Sequence, residues 1–277
     1  MQEQFSSAGD LFLQKFLQLF LRLPSGFLTS VSARIPWGAS MGLFLLASRR
    51  WTLRLLAHTF HAFMPELVFL PGAGGSAAFW RPVAAKLAEL GPVHLFGWPG
   101  FGDVPADPGI HSLDDLFQWF LRRLPKGPSH VIAQSMGGIL AVRLALEHPD
   151  RVASLVLVAT SGGVNLRRFG AADWRPDYVS ELPRVPRWFV KDRTDFTDRL
   201  GEIRVPTLLV WSDSDALSPL AVSHFLAERI PNAHEVTVSG GSHAFANERS
   251  VEVAALIRAS VLGSRDQRDS AVPAQGN

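Results

Sequence analysis

"SHVIAQSMGG", residues 129–138, runs from an apolar, β-branched segment straight into one serine and a pair of glycines. The residues up to Gln134 predict a buried strand, and "MGGILAVRLALE" (136–147) predicts a helix. A strand, a serine and a helix in immediate succession would expose the Ser135 hydroxyl on a strained turn and aim the helix N-terminus at it. Gly137 and Gly138 provide the room such a turn needs, whereas Ala133 puts a methyl where a G-x-S-x-G pattern has its first glycine. A serine hydroxyl is a weak nucleophile unless a base removes its proton and an acid orients that base. A functional Ser135 therefore requires a histidine and a carboxylate elsewhere in the chain.

The text on either side of this stretch is regular from residue 66 onward. Strands are predicted at "ELVFL" (66–70), "PVHLF" (92–96), "SHVIAQ" (129–134), "ASLVLVA" (153–159), "PTLLVW" (206–211) and "AHEVTV" (233–238). Helices are predicted near 78–90, 112–124, 136–147, 219–230 and 248–262. This alternation implies an α/β fold, a mostly parallel open sheet with helices on both faces. Residues 162–204 break the rhythm with proline, arginine and tryptophan, and read as a short cap over one end of the sheet. The tail 263–277 is polar and aperiodic and reads as disordered.

The required partners occur where a parallel sheet can use them. "WSDSDALSP" (211–219) follows the fifth strand with two aspartates, and "SGGSHAF" (239–245) follows the sixth and presents His243. Carboxyl ends of parallel strands open on one edge of the sheet, so Ser135, the aspartate pair and His243 converge there. Other serines and histidines have simpler roles. Ser76 and Ser161 lack the strand-to-helix turn, and His94, His130, His148 and His224 lie within predicted strands or helical segments. A phosphate loop is excluded, since "PGAGGSA" (71–77) contains no G-x-x-x-x-G-K-[ST] and puts Ala77 where a third glycine would stand.

From residue 66 to about 262 the chain resembles the α/β-hydrolases, on "LVFLPGAGGSAAFWRPVA", "GWPGFGD", "AQSMGG", "LLVWSDSDALSP" and "GGSHAF". The resemblance implies Ser135 as nucleophile, His243 as general base and then acid, and an aspartate that orients His243. Ser212 matches the small residue three positions before the acid in the family pattern, which selects Asp215 over Asp213. It also implies that the backbone N–H groups of Ala73 and Met136 form an oxyanion hole, with Pro71 standing where the family usually has histidine. Trp98, Phe101 and Phe79 fall near the expected site and are candidate pocket walls. Within the family there is a fainter likeness to pimeloyl-acyl-carrier-protein methyl ester esterases, in "WPGFGD" and "DWRPDY".

The implied activity is hydrolysis of a carboxylic ester or thioester through an acyl-enzyme on Ser135. Serine rather than aspartate at the turn argues against dehalogenase and epoxide hydrolase chemistry. The alternatives are a membrane-associated lipid esterase or acyltransferase, a carbon–carbon bond hydrolase or cofactor-free haloperoxidase, and a non-catalytic binding module. The expected partner is a small-molecule ester, free or carried by an acidic carrier protein. Residues 164–199 hold eight Lys/Arg against six acids, a surface such a carrier could meet.

Composition narrows the field further. A net charge of +2 gives no reason to expect nucleic acid, and the absence of cysteine excludes disulfides, thiolate nucleophiles and cysteine metal sites. Nine histidines occur without HExxH or clustered spacing, so neither metal nor cofactor is expected. Residues 1–63 carry six basic residues against two acids. "LFLQKFLQLFLRL" (11–23) reads as a helix with a narrow polar stripe, and "IPWGASMGLFLLAS" (35–48) is short for a membrane span. Three readings follow: an apolar helical extension or lid, a membrane-surface contact through 11–48, or a segment ahead of a natural start at Met64. No clean secretory signal is present, which sets the expectation of a cytoplasmic protein, with membrane association as its variant.

Overall fold

The computed structural model describes residues 65–181 and 185–271. These residues belong to the unit that begins at His61, and the readings made for 1–63 and for 272–277 lie outside the described residues. Six parallel strands form one sheet: β1 (Glu66–Leu70), β2 (Val93–Leu95), β3 (Ser129–Gln134), β4 (Val152–Val158), β5 (Thr207–Ser212) and β6 (Ala233–Val238). Their spatial order is β2-β1-β3-β4-β5-β6. The chain leaves β1 toward one edge of the sheet and returns on the other side to form β3, so the connections diverge between β1 and β3. In open parallel sheets ligands bind outside the carboxyl ends of strands at such a point.

The two-residue side-chain period of the strands sorts the core into two layers. Val68, Leu70, Val131, Ala133, Leu155, Leu157, Leu209 and Trp211 face one layer. There they meet helices α2 (Leu113–Leu121), α3 (Met136–Glu147) and α6 (Leu220–Arg229). Leu67, Phe69, Ile132, Val156, Val158, Leu208 and Val210 face the other. That layer is covered by α1 (Arg81–Ala84), α7 (Phe245–Glu248) and α8 (Ser250–Ala271). β3 and β4 are buried along their whole length, which explains the apolar runs Val131–Ala133 and Leu155–Val158 at their centres; of the polar residues they bury, His130 bonds Ser154.

Two expected elements differ. The helix expected near 78–90 is a 3-10 turn at Ala77–Trp80, the single turn α1 and another 3-10 turn at Ala88–Leu90. Pro82 lacks an N–H and suits only a first turn, while Trp80 Nε1 donates to the Leu70 carbonyl at 2.9 Å and ties this run to the end of β1. The last helix does not stop near 262: α8 continues to Ala271, through residues expected to be disordered. Ser264 is buried and bonds the Ser260 carbonyl, and Arg265 donates to the Leu90 carbonyl at 2.6 Å, so a polar run is held by backbone acceptors.

The interval 162–204 contains α4 (Arg175–Glu181) and α5 (Arg187–Lys191) between 3-10 turns at Leu166–Phe169 and Thr197–Glu202. Among the described residues no helix is long and apolar enough to cross a membrane.

Candidate active site

Ser135 stands between β3 and α3 with φ 51° and ψ −120°. A non-glycine residue in this region is strained and persists only where the surroundings impose it. The imposing bonds are visible: Ser135 N–H donates to Val158 O at 3.1 Å, and Gly138 N–H to Ser135 O at 3.0 Å. The Thr160 hydroxyl donates to the same Ser135 carbonyl and accepts from Gly162 N–H. Ala159, next to Thr160, also has a positive φ of 43°, so the two neighbouring strand ends share the strain.

The glycines of the turn are close-approach residues. A Cβ on Gly137 would lie 2.6 Å from Pro71 O and 2.7 Å from Leu70 O, and one on Gly138 would lie 2.2 Å from Thr160 Oγ1. Ala133, by contrast, is fully buried within β3, and its methyl packs in the core layer facing α3. Gly138→Ala is therefore expected to destabilise the fold by about 1–3 kcal/mol through overpacking and to lower activity by displacing Thr160 from the Ser135 carbonyl. Gly74→Ala, whose Cβ would meet nothing within 4 Å, is the control and should stay within about 0.5 kcal/mol. Urea unfolding of both variants reads the difference.

The expected partners come together at this turn. Ser135 O–H reaches His243 Nε2 at 3.0 Å, and His243 Nδ1–H donates to Asp215 Oδ2 at 2.7 Å. The second oxygen of Asp215 accepts from Leu217 N–H at 2.9 Å and Ser218 N–H at 3.2 Å, which fixes the carboxylate plane. The Asp215 side chain is almost fully buried, whereas about a quarter of the His243 side chain faces the cavity.

Asp213 sits elsewhere. Its carboxylate accepts from Gly240 N–H at 2.6 Å and from the hydroxyls of Ser214 and Ser239. The Gly240 amide and then the Ser214 hydroxyl hold this exposed carboxyl below its ordinary value. Asp213 closes the turn after β5 and does not touch His243.

The loop after β1 passes beside Ser135. A Cβ on Gly72 would lie 2.3 Å from Gln134 Oε1 and 2.9 Å from Ser135 Cβ, so only glycine lets the loop approach this closely. Neither Ala73 N–H nor Met136 N–H has a hydrogen-bond acceptor among the described residues, and both residues line the cavity above Ser135. Pro71 carries no imidazole, yet the loop is anchored: its carbonyl accepts from Trp98 Nε1 at 2.7 Å.

That anchor corrects one expectation. Trp98 and Phe101 are fully buried and do not line the cavity; of the three proposed pocket aromatics only Phe79 does. Trp98 packs against Phe96 and Phe120, and Phe101 against Trp188 and Phe189, because the loop carrying them turns its aromatic side chains inward. The cavity holds about 1030 Å³ and is walled on the cap side by Val164, Leu166, Trp174, Tyr178 and Phe189, with Arg167, Arg175 and Arg193 contributing charge.

Other serines and histidines take the simpler roles. Ser76 and Ser161 accept from Ala78 N–H and Gly163 N–H as turn residues, although both also border the cavity. His94 pairs with Glu66, His130 with Ser154 and His224 with Glu235, while His148 stacks on Phe117.

Three supporting contacts had no sequence signal. Gln134 Nε2 donates to the His243 carbonyl at 3.2 Å, Ser212 Oγ to the Gly241 carbonyl at 2.9 Å, and Asn247 Nδ2 to the Phe79 carbonyl at 2.7 Å. They stitch the loops of the serine, aspartate and histidine to one another and to the segment after β1. Among the described residues no group of His, Asp or Glu could hold a metal ion.

A parallel sheet whose carboxyl edge carries a strained serine bonded to a histidine and a buried aspartate has the layout of an α/β hydrolase. The family described as alpha/beta hydrolase fold matches residues 65–197. The RutD protein of Azorhizobium caulinodans, named as a carbamate hydrolase, is 31% identical over 234 residues, covering 69% of this chain and 88% of the relative. A pimeloyl-acyl-carrier-protein methyl ester esterase of Aeromonas salmonicida is 30% identical over 227 residues, covering 65% of this chain and 89% of the relative. Among solved structures, MenH from S. aureus shares the fold with a TM-score of 0.61 at 20% identity, covering 73% of this chain and 94% of that one. The chain belongs to the alpha/beta hydrolase family, whose members similar to it include esterases and hydrolases.

Proposed function

We propose that the protein is a serine hydrolase that cleaves a carboxylic ester or thioester through an acyl-enzyme on Ser135. The observation that carries this reading is the continuous chain Ser135 Oγ to His243 Nε2 at 3.0 Å and His243 Nδ1 to Asp215 Oδ2 at 2.7 Å, opening into the cavity. His243 Nε2 takes the Ser135 proton as Oγ bonds to the carbonyl carbon, and the carbonyl π pair moves onto oxygen. The Ala73 and Met136 amides stabilise that oxyanion, aided by the N-terminal end of α3. Collapse expels the alcohol or thiol, which takes the proton from the imidazolium. Water then repeats the sequence on the acyl-enzyme and releases the carboxylic acid.

Asp215 orients the imidazole and stabilises its cation without itself taking the proton. The two relatives are named for hydrolysis of a carbamate and of a methyl ester. Both substrates present a carbonyl carbon bonded to a heteroatom leaving group, the electrophile an activated serine attacks. The cavity is large enough for a small-molecule acyl group, and the basic residues at the cap would suit an acid delivered by a carrier protein.

A p-nitrophenyl ester series from acetate to decanoate, with a p-nitrophenyl carbamate alongside, tests the reading together with a fluorophosphonate probe and peptide mapping. Turnover of an ester and labelling confined to Ser135 are expected. Labelling at another residue, or no turnover of any substrate, would sink it.

A further inference from the structure

Tyr178 belongs to cap helix α4, yet its hydroxyl donates to the Ala73 carbonyl at 2.6 Å, across 105 positions of sequence. It is also the one tyrosine in the chain. The loop it reaches is held at other points by different bonds: the Pro71 carbonyl by the Trp98 indole, the Gly72 carbonyl by Gly75 N–H, and the Gly75 carbonyl by Trp98 N–H. Between these anchors Tyr178 supplies the contact on Ala73. The side-chain position of the next residue is open, since a Cβ on Gly74 would meet nothing within 4 Å.

The carbonyl that Tyr178 binds and the N–H assigned to the oxyanion flank the same Cα of Ala73. Fixing one peptide plane restricts the other about that joint.

The position of the hydroxyl follows the cap. The Tyr178 ring meets Trp174 edge-on at 5.3 Å and Phe189 at 6.0 Å, and those two rings stack at 5.3 Å. The cap is in turn tied to the loop of the acid by Ala172 N–H donating to Ala216 O at 3.0 Å. Burial pushes the phenol well above its ordinary ionisation range, so its O–H remains a donor at neutral and mildly alkaline pH.

We propose that Tyr178 is a positioning residue that couples the seating of the cap to the orientation of the Ala73 amide, so that the oxyanion site is complete only with the cap in place. The inference rests on the acyl-enzyme reading of Ser135. It assigns the cap a part in the chemical step as well as in enclosing substrate.

Tyr178→Phe in the full chain removes the hydroxyl and keeps the ring. On the best ester of the series kcat should fall by about tenfold, the scale expected when a reacting geometry loosens by a fraction of an ångström. KM should stay within about twofold, and fluorophosphonate labelling should slow by the same factor as kcat, because both reactions use the oxyanion site. Biosynthetic 3-fluorotyrosine puts a single fluorine label into the otherwise unaltered protein. Its resonance should move when Ser135 is phosphonylated, since a phosphonyl oxygen then occupies the oxyanion position.

A resonance that does not move on labelling overturns the inference whatever the variant does, including a variant that fails to fold. So does a variant whose kcat matches the parent. A parent protein that neither takes the probe nor cleaves an ester overturns the acyl-enzyme reading along with it. With a parent that does both, a failure of either Tyr178 measurement counts against the role of Tyr178 alone.

Discussion

Ser135→Ala is expected to lower ester turnover by on the order of 10⁵-fold and to abolish fluorophosphonate labelling, with the thermal unfolding transition left almost where it was. The separation of effects follows from the local bonds. The elbow is held through backbone atoms, Ser135 N–H to Val158 O and Gly138 N–H to Ser135 O, with Thr160 on the same carbonyl. None of these uses the Ser135 hydroxyl, and alanine bears the same Cβ in the same positive-φ position. His243→Ala should cost a similar factor, because a serine without its base is no better than a serine that is absent. The double variant should then be no slower than either single one, since residues that act as a unit do not add. Retention of more than about one hundredth of parent activity by Ser135→Ala, against the far larger loss expected, would remove Ser135 from the mechanism.

Asp215→Asn against Asp213→Asn is the second large contrast. In the first variant an amide can turn its NH₂ toward His243 Nδ1, which favours the tautomer with the proton on Nε2 and leaves no lone pair there for the Ser135 proton. The imidazolium also loses its counter-charge, so kcat should fall by about 10⁴-fold. Among the described residues the Asp213 carboxylate accepts hydrogen bonds from Gly240 N–H and two serine hydroxyls at the turn after β5, not from His243. Asp213→Asn should leave kcat within about threefold, because an exposed turn contact carries little of the transition-state stabilisation. Steady-state kinetics on the preferred ester, with melting temperatures measured beside them, separate the two. Equal losses in kcat would mean that the acid role is not confined to Asp215.

The central strands were legible because a buried parallel strand is apolar on both faces, and the edge strands β2 and β6 by their short β-branched runs between turn residues. β1, β3 and β6 begin and end where the spelling predicts, while β2 is one residue shorter at each end and β4 and β5 are each shifted by one residue, at both ends. The serine elbow was legible for a different reason: a strand, a serine and a helix follow one another directly, and His243 and two aspartates stand at later strand ends to complete the pattern. Chain order and strand ends then led to His243 and the aspartate pair without any knowledge of distance, and the resemblance to the α/β-hydrolases singled out Asp215 of the two.

Side-chain direction in loops was not legible. Trp98 and Phe101 lie near Ser135 along the sheet edge, as expected, but their rings go into the core and Trp98 spends its N–H on Pro71. An aromatic residue in a loop reads the same whether the backbone turns it toward a cavity or away from one.

Local spelling was enough to specify the parallel sheet, the order of its strands along the chain, and which serine, histidine and pair of aspartates could meet at its carboxyl edge. These are consequences of residue periodicity and of the rule that parallel strands end on one side. Only folding in three dimensions settled how closely the serine is held, which aromatics wall the cavity, how far α8 runs past residue 262, and that Gln134, Thr160 and Tyr178 bond the carbonyls of His243, Ser135 and Ala73. Those contacts join residues 25 to 109 positions apart. They are fixed by the packing of whole elements against one another, and no local pattern of residues encodes them.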